Sequence, residues 1–444
     1  MNRATSRRVF VRRSGLALLA LGLPPEFVTR SLLAATRGAE RSRTLVCLFL
    51  RGAVDGLNMV VPFAEPSYYA HRRTIALPAP RAEGGGIIDL DGFFGLHPAL
   101  DPLHPLYRRG ELAIVHAAGS PHPTRSHFDA QDFMETATPG TKSTPDGWLN
   151  RVLGATQCTS CTGRTLAHAA AHAVDHVAAQ ASMTGTTVPA LRGVAMGSAL
   201  PRSLRGEHPA LAIEDLERFG IGGNDIGLED AFAHLYQTRQ ADVFGTAADD
   251  AFEAVRVLRS LDGTLYEPRS GVDYPTGNFG RSLRQIAQLI KADVGLEIGF
   301  ADIGGWDTHQ AQGGIEGQLA RRLTELARGI RAFHDDLGDR MEDVVILTMS
   351  EFGRTVAENG SGGTDHGHAN CILAIGGRVN GGHVLGDWPG LETELLYQQR
   401  DLAVTTDFRD VFAEIASEHL GADRLDQVFP GYPIDRSRWR GVLR

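Results

Sequence analysis

Five stretches of the chain are largely apolar and free of strict alternation: Thr44–Leu50, Leu112–Ala117, Leu296–Ile303, Val344–Met349 and Cys371–Ile375. Short runs of this kind predict strands buried on both faces. Between them, apolar residues recur at helical spacing near Leu100–Arg108, from Ser126 to about Thr136, and over Gly280–Lys291, Ile315–Asp336 and Asp410–His419. Ser67–Ile75 predicts a helix or surface turn, Arg81–Gly86 a loop, Thr186–Arg205 strand and loop, and Leu228–Leu261 helix. Strands alternating with helices predict a doubly wound, largely parallel α/β sheet with flanking helices. From Asp146 onward the pattern turns Ala-rich, and the segment from about 150 to 275 carries no sharp chemical motif. It is expected to be a helical insertion or cap on a single domain spanning 41–444.

The first 40 residues stand outside this pattern. Ser6-Arg7-Arg8-Val9-Phe10-Val11 is a twin-arginine signature, Leu16–Leu23 a short apolar stretch, and Ala34-Ala35 a small-residue cleavage site. In this order they predict a signal peptide rather than a permanent membrane span, and hence a periplasmic or secreted bacterial protein handled by the twin-arginine machinery. That route carries folded chains, which favours a metal or cofactor protein. These residues hold seven Arg and two Glu, so their removal moves the formal charge from −9 to −14. An acidic mature chain argues against nucleic acid or an anionic membrane as partner. In an oxidising compartment Cys158 and Cys161 are expected as a local disulfide or free thiols; Cys47 and Cys371 are the other two cysteines.

Polar clusters follow the predicted strands. Asp55 comes after the first, in Arg51-Gly-Ala-Val-Asp55-Gly, where an Asp before Gly also suits a plain turn. After Leu112–Ala117 comes Pro121-His-Pro-Thr-Arg125-Ser126-His127-Phe-Asp129. Ser126 there is either a helix N-cap or a nucleophile in the positive field of a helix end, with Arg125 as an oxyanion contact. Asp307 and His309 follow Leu296–Ile303; two apart in extended chain, they face one side and suit a single ion or a structural Asp–His hydrogen bond. Ser350, Glu351 and Arg354 follow Val344–Met349, and a Gly/Ser loop then ends in Asp365-His366-Gly367-His368. In open α/β sheets ligands bind beyond the carboxyl ends of the strands, so all these clusters are expected at one rim. Asp55, Asp307, Glu351, His309, His366 and His368 make a ligand set for one or two divalent ions: Zn, Mn or Fe, with Mg or Ca at the carboxylate-rich side. A separate stripe, His168, His172 and His176, recurs every four residues along a predicted helix face and is either solvated or metal-handling.

The stretches FLRGAVDGLN, TRSHFDAQDFME, GGWDTH, MSEFGRT, GTDHGHAN and VTTDFRDV, in this order over about residues 44–430, resemble an exported bacterial family, domain of unknown function 1501. That family is similar to a distant branch of the alkaline phosphatase and sulfatase superfamily. The resemblance implies an alkaline-phosphatase-like, metal-bearing α/β fold with Ser126 as nucleophile. Asp55 and Glu351 would hold one ion, and Asp307, His309 and one of His366 or His368 the other. It departs from the superfamily pattern twice. Glu351-Phe352 stands where phosphatases place Asp-His, and Pro121 occupies the nucleophile position of the sulfatase Cys/Ser-x-Pro-x-Arg run, which argues against a formylglycine sulfatase. The expected function is hydrolysis of a small or polymer-borne anionic phosphate or sulfate ester. A non-catalytic binding or assembly protein that keeps the fold and a structural metal is the alternative.

Overall fold

The central sheet has nine strands, of which β1 (Thr44–Arg51) lies in the middle. In a computed structural model of the chain, the described residues are 42–81, 85–156, 191–216, 254, 257, 258 and 266–444. The other strands are β2 (Leu112–Gly119), β3 (Gly193–Met196), β4 (Leu211–Ile213), β5 (Ile298–Gly304), β6 (Val344–Met349), β7 (Asn370–Ile375), β8 (Val384–Leu385) and β9 (Thr406–Asp407). Their order is β8-β2-β7-β6-β1-β5-β3-β4, with β9 also paired to β2. The N-terminal signature, the Cys158–Cys161 pair, the His168/His172/His176 stripe and nearly all of Leu228–Leu261 lie outside the described residues. Arg43–Arg444 cluster as one unit.

Alternate residues of β1 serve opposite faces. Val46, Leu48 and Leu50 enter one apolar cluster, while Leu45, Cys47 and Phe49 enter another. An unbroken apolar strand therefore sits between two helical layers, as a doubly wound sheet requires. On the first face lie α3 (Asn278–Lys291) and α4 (Gln318–Leu337), whose Leu319, Leu323, Leu326, Ile330 and Phe333 are buried at helical spacing. On the other lie α2 (Trp148–Ala155) and α5 (Phe408–Glu418), with Trp148 stacked on Phe412 at 4.7 Å between ring centres. The expected helix near Leu100–Arg108 begins as a tighter turn at Pro98–Leu103, with Pro102 inside it, and becomes α-helical only over His104–Arg108.

The sheet is parallel except for β7, which runs antiparallel to both β2 and β6. No helix crosses over between β6 and β7; the chain leaves Met349 and returns at Asn370 on the same edge, which forces antiparallel pairing. The exits of β1, β2, β5 and β6 and the entrance of β7 thus share one rim. Among the described residues, no helix is long and apolar enough to cross a membrane.

Two buried histidines away from that rim fix a neutral tautomer. His116 donates from Nε2 to the Val60 carbonyl (2.9 Å) and accepts the Ala117 N–H at Nδ1, while His419 donates from Nε2 to the Thr44 carbonyl (3.0 Å). Burial pushes each imidazole pKa down to about 4, only partly opposed by the carbonyl bond. Below about pH 6.5 the unfolded chain binds protons that the folded chain refuses, so stability falls as pH drops from about 6.5 towards 4. At pH 5 each histidine should cost roughly 2 kcal/mol relative to pH 7. His419→Gln keeps the Nε2-type donor and should flatten the pH dependence by about that amount, measured as urea midpoints at the two pH values.

Candidate functional site

Three imidazoles converge on the carboxylate of Asp307. His309 Nε2 and His366 Nε2 lie 3.1 and 3.2 Å from Oδ1, and His127 Nε2 lies 3.5 Å from Oδ2. His127, Asp307 and His366 offer ligand atoms within 4.8 Å of one another. Each comes from a different rim segment: His127 opens α1 (His127–Thr136) after β2, Asp307 and His309 follow β5, and His366 precedes β7.

Each ring is held from behind at Nδ1. His127 donates to Glu351 Oε1 (2.8 Å), His309 to Asp365 Oδ1 (2.9 Å), and His366 to the Arg125 carbonyl (2.8 Å). A proton on Nδ1 leaves an Nε2 lone pair in the neutral ring, aimed inward. His127 Nε2 is buried without a hydrogen-bond partner, and the Nε2 atoms of His309 and His366 face each other at 3.0 Å. Two lone pairs at that distance require a proton or a cation between them. An outer oxygen on one ring nitrogen with the other nitrogen directed at a common point is the way proteins orient metal-binding histidines. His127, Asp307 and His366 therefore form a candidate metal site, with His309 Nε2 beside it at 3.1 Å from Asp307 Oδ1.

Glu351 is buried and belongs to the outer layer. Besides His127, its Oε1 accepts the Gly52 N–H (2.8 Å) and Gln131 Nε2 (2.9 Å). Burial pushes its pKa up, but the bonds from His127 and Gln131 outweigh it and hold Glu351 below the usual range. The Glu351 bond in turn raises the His127 pKa, against the opposing effect of burial. Gly52 has φ +115°, and a Cβ there would meet the Asp307 backbone nitrogen at 2.9 Å, so only glycine lets the β1 and β5 exits approach this closely. Asp307 also accepts from Arg354, a fully buried guanidinium, at 2.6 Å; burial raises the Asp307 pKa, but Arg354 outweighs it and brings it down.

Not every residue expected at the site reaches the imidazole cluster. Asp55 is fully buried and paired with Arg72 through both oxygens (2.7 and 3.0 Å), and it accepts Gln312 Nε2 at 2.6 Å. Both its oxygens are thus committed to fixing the loop after β1, away from the three imidazoles. His368 stacks on Tyr397 at 4.3 Å, and burial, with the charge of Arg125, pushes its pKa down to about 4. Its neighbour His366 turns inward instead: it bridges Arg354, Gly367 packs against the Arg354 backbone, and the chain bends at His368, so the two rings do not share a side. Ser126 takes the N-cap position of α1 with an extended backbone, but its side chain makes no capping bond. It is exposed, between the Arg125 carbonyl and the His127 ring, both of which belong to the cluster. The Arg125 guanidinium points to Asp401 and Gln398 instead. His309, His366, Asp307 and Glu351 are gathered, and Ser126 adjoins them in sequence; Asp55, His368 and the Arg125 side chain are not.

His127, Asp365 and Gln131 complete the arrangement and had no role in the expected ligand set. The signal for two of them is helical: His127 and Gln131 are four apart, so both face Glu351.

The site defines a class, an α/β protein with an imidazole–carboxylate centre at the rim of a mostly parallel sheet. The chain belongs to the protein family of unknown function DUF1501, whose model matches residues 113–428. No curated protein matches it. Among solved structures it is similar to the C-terminal periplasmic domain of EcEptC from Escherichia coli in complex with Zn, at 10% identity over 90% of this chain and 89% of that one, TM-score 0.35. It is also similar to the PsFucS1 sulfatase from Pseudoalteromonas sp., at 13% identity over 93% of this chain and 75% of that one, TM-score 0.36.

The two roles of Asp55, ion ligand or anchor for Arg72, separate by mutation. Asp55→Ala leaves the Arg72 charge buried without its partner and should cost about 3–5 kcal/mol in chemical unfolding. The fraction that folds should bind metal with the wild-type stoichiometry, measured by elemental analysis of the gel-filtered monomeric or oligomeric peak.

Proposed function

We propose that this protein is an exported, single-centre metallohydrolase with an alkaline-phosphatase-like fold, acting on a phosphate or sulfate ester. The observation that carries the proposal is the set of three imidazoles, each tied by Nδ1 to an oxygen and each directing Nε2 at Asp307. His127, His309, His366 and Asp307 would hold one divalent transition ion. When bound, such an ion supplies positive charge to a developing oxyanion and lowers the pKa of a coordinated hydroxyl or water. Three imidazoles and one carboxylate suit Zn, Mn or Fe better than Mg or Ca.

The chain's own residues would do the rest. Ser126 is solvent-accessible, free of capping duty and next in sequence to His127, so its hydroxyl is the nucleophile the rim offers. Its place at the start of α1, a ten-residue helix, sets it in the positive end of the helix field, which favours an incoming anion and a developing alkoxide. Glu351 holds His127 in one orientation, and Asp365 does the same for His309. Export by the twin-arginine route would deliver the chain folded, with the ligands of its centre brought together from three segments, into the periplasm or medium. The substrate would be a small or polymer-borne anionic ester.

One observation favours the non-catalytic alternative, a binding or assembly protein with a structural ion. Arg354 already neutralises Asp307, and the one guanidinium beside Ser126 is committed to Asp401. Elemental analysis and turnover separate the two. The wild type should carry about one transition ion per chain, lost in the Asp307→Ala/His309→Ala variant, and should hydrolyse an aryl phosphate or aryl sulfate. Ser126→Ala should retain the ion and lose turnover by at least 100-fold. A folded wild type that holds no ion after supplementation would sink the metallohydrolase. Retained ion with turnover unaffected by Ser126→Ala would remove Ser126 from the mechanism.

A further inference from the structure

We infer that Asp401 is a positioning residue for the candidate metal centre, acting through Arg125 on the orientation of His366; the inference rests on the metal reading above. Asp401 is fully buried, and its Oδ1 has no hydrogen-bond partner, only the Arg400 Nε at ion-pair distance, 3.7 Å. Its Oδ2 takes the Arg125 guanidinium at both Nε (3.0 Å) and a terminal nitrogen. Burying a carboxylate is costly, and this one makes its hydrogen bonds to an arginine whose side chain is 27% exposed.

The turn that carries Asp401 is strained as well. Gln398 and Gln399 both have φ +55°, a left-handed conformation that residues with a Cβ rarely adopt. The turn is closed by two backbone bonds between Tyr397 and Asp401 (2.8 and 3.0 Å) and pinned to the loop after β6 by Val356 N–H on the Arg400 carbonyl (3.2 Å). Backbone strain of this kind concentrates at functional sites, where the surroundings hold it in place.

What the turn grips is His366, from both directions. Asp401 and Gln398 fix the Arg125 side chain, and the Arg125 carbonyl accepts the His366 Nδ1–H at 2.8 Å. The next residue, Arg400, donates to the His366 carbonyl at 2.9 Å. Arg400 thus meets the backbone of this ligand directly, and Gln398 and Asp401 reach its ring through Arg125. Arg125 is placed as a structural relay, not as a contact for substrate.

The test uses the full-length protein with Co(II) as a visible-absorbing probe of ligand geometry. Asp401→Ala should weaken Co(II) binding by 10- to 100-fold and shift its visible bands, as loss of an outer partner does. Asp401→Asn, which keeps the shape and one acceptor, should fall between that variant and wild type and keeps the test open if Asp401→Ala does not fold. In the His366→Ala background, Asp401→Asn should add little further loss, since both changes act on one ligand. A merely structural role for Asp401 would lower the thermal midpoint of the metal-free protein while leaving Co(II) affinity and bands of the folded fraction unchanged, and that result overturns the inference. So do losses that add in full to that of His366→Ala. A wild type that takes up no Co(II) overturns the metal reading and this inference together, whereas wild-type uptake with an unaffected Asp401→Asn variant overturns this inference alone.

Discussion

The rim of this sheet depends on where the negative charge of Asp307 goes. One carboxylate, at the exit of β5, is approached by three imidazoles and by the buried Arg354 guanidinium. The approach is possible because four strands end, and one begins, at the same edge. Had β7 been parallel to its neighbours, its entrance would lie at the opposite edge, and His366 could not meet Asp307. The reversed strand is therefore what turns three separate polar loops into one centre. It follows from the absence of a crossover helix between Met349 and Asn370.

Beneath the centre runs a buried polar chain that fixes its floor. Arg72 binds Asp55, Asp55 accepts from Gln312 Nε2, and the Gln312 side-chain Oε1 accepts from the hydroxyls of both Thr308 and Thr364 (2.8 and 2.9 Å). Arg354 then bonds both the Thr364 hydroxyl and its carbonyl, and reaches Asp307. Every member ties one rim segment to another: the loop after β1, the loop after β5 and the loop between β6 and β7. Buried networks of this kind are favourable only when each member is satisfied, so they specify one arrangement sharply. Asp55 has its importance here, with three residues, Gln312, Thr364 and Arg354, between it and Asp307 in the chain of bonds.

The strands and long helices were legible because period and burial agree in them. Val344–Met349 matches its expected bounds, and α3 and α4 lie within a few residues of theirs. The gathering of Asp307, His309, Glu351 and His366 at one rim was legible too, since each follows or precedes a strand. The division of labour was not. Asp55 and Glu351 look alike in sequence, each a carboxylate just past a buried strand, yet one is consumed by Arg72 and the other orients His127. The deciding partners are 17 and 224 residues away, beyond any local pattern. His366 and His368 differ for a similar reason: the aromatic face that captures His368 belongs to Tyr397, in a turn with no chemical signature of its own. Nor does any local cue mark the reversal of β7, because a buried strand reads the same in either direction.

Charge at the centre suits a divalent occupant of the candidate metal site. With each imidazole neutral and protonated at Nδ1, the group contains the carboxylates of Asp307, Glu351 and Asp365 against the single cation Arg354, a formal balance of minus two. Glu351 and Asp307 are both held below the usual carboxylate range, so they stay ionised while partly desolvated. In the chain itself the Glu351 bond raises the His127 pKa, and the Nε2 atoms of His309 and His366 face each other at 3.0 Å. A divalent ion would match that charge and use the inward lone pairs at once. Binding would then release protons and weaken as the medium becomes acidic, as for any centre built on imidazole. The same geometry thus accounts for the orphaned His127 nitrogen, the close imidazole pair and the excess of carboxylate, three features that a purely structural hydrogen-bond cluster would leave as separate costs.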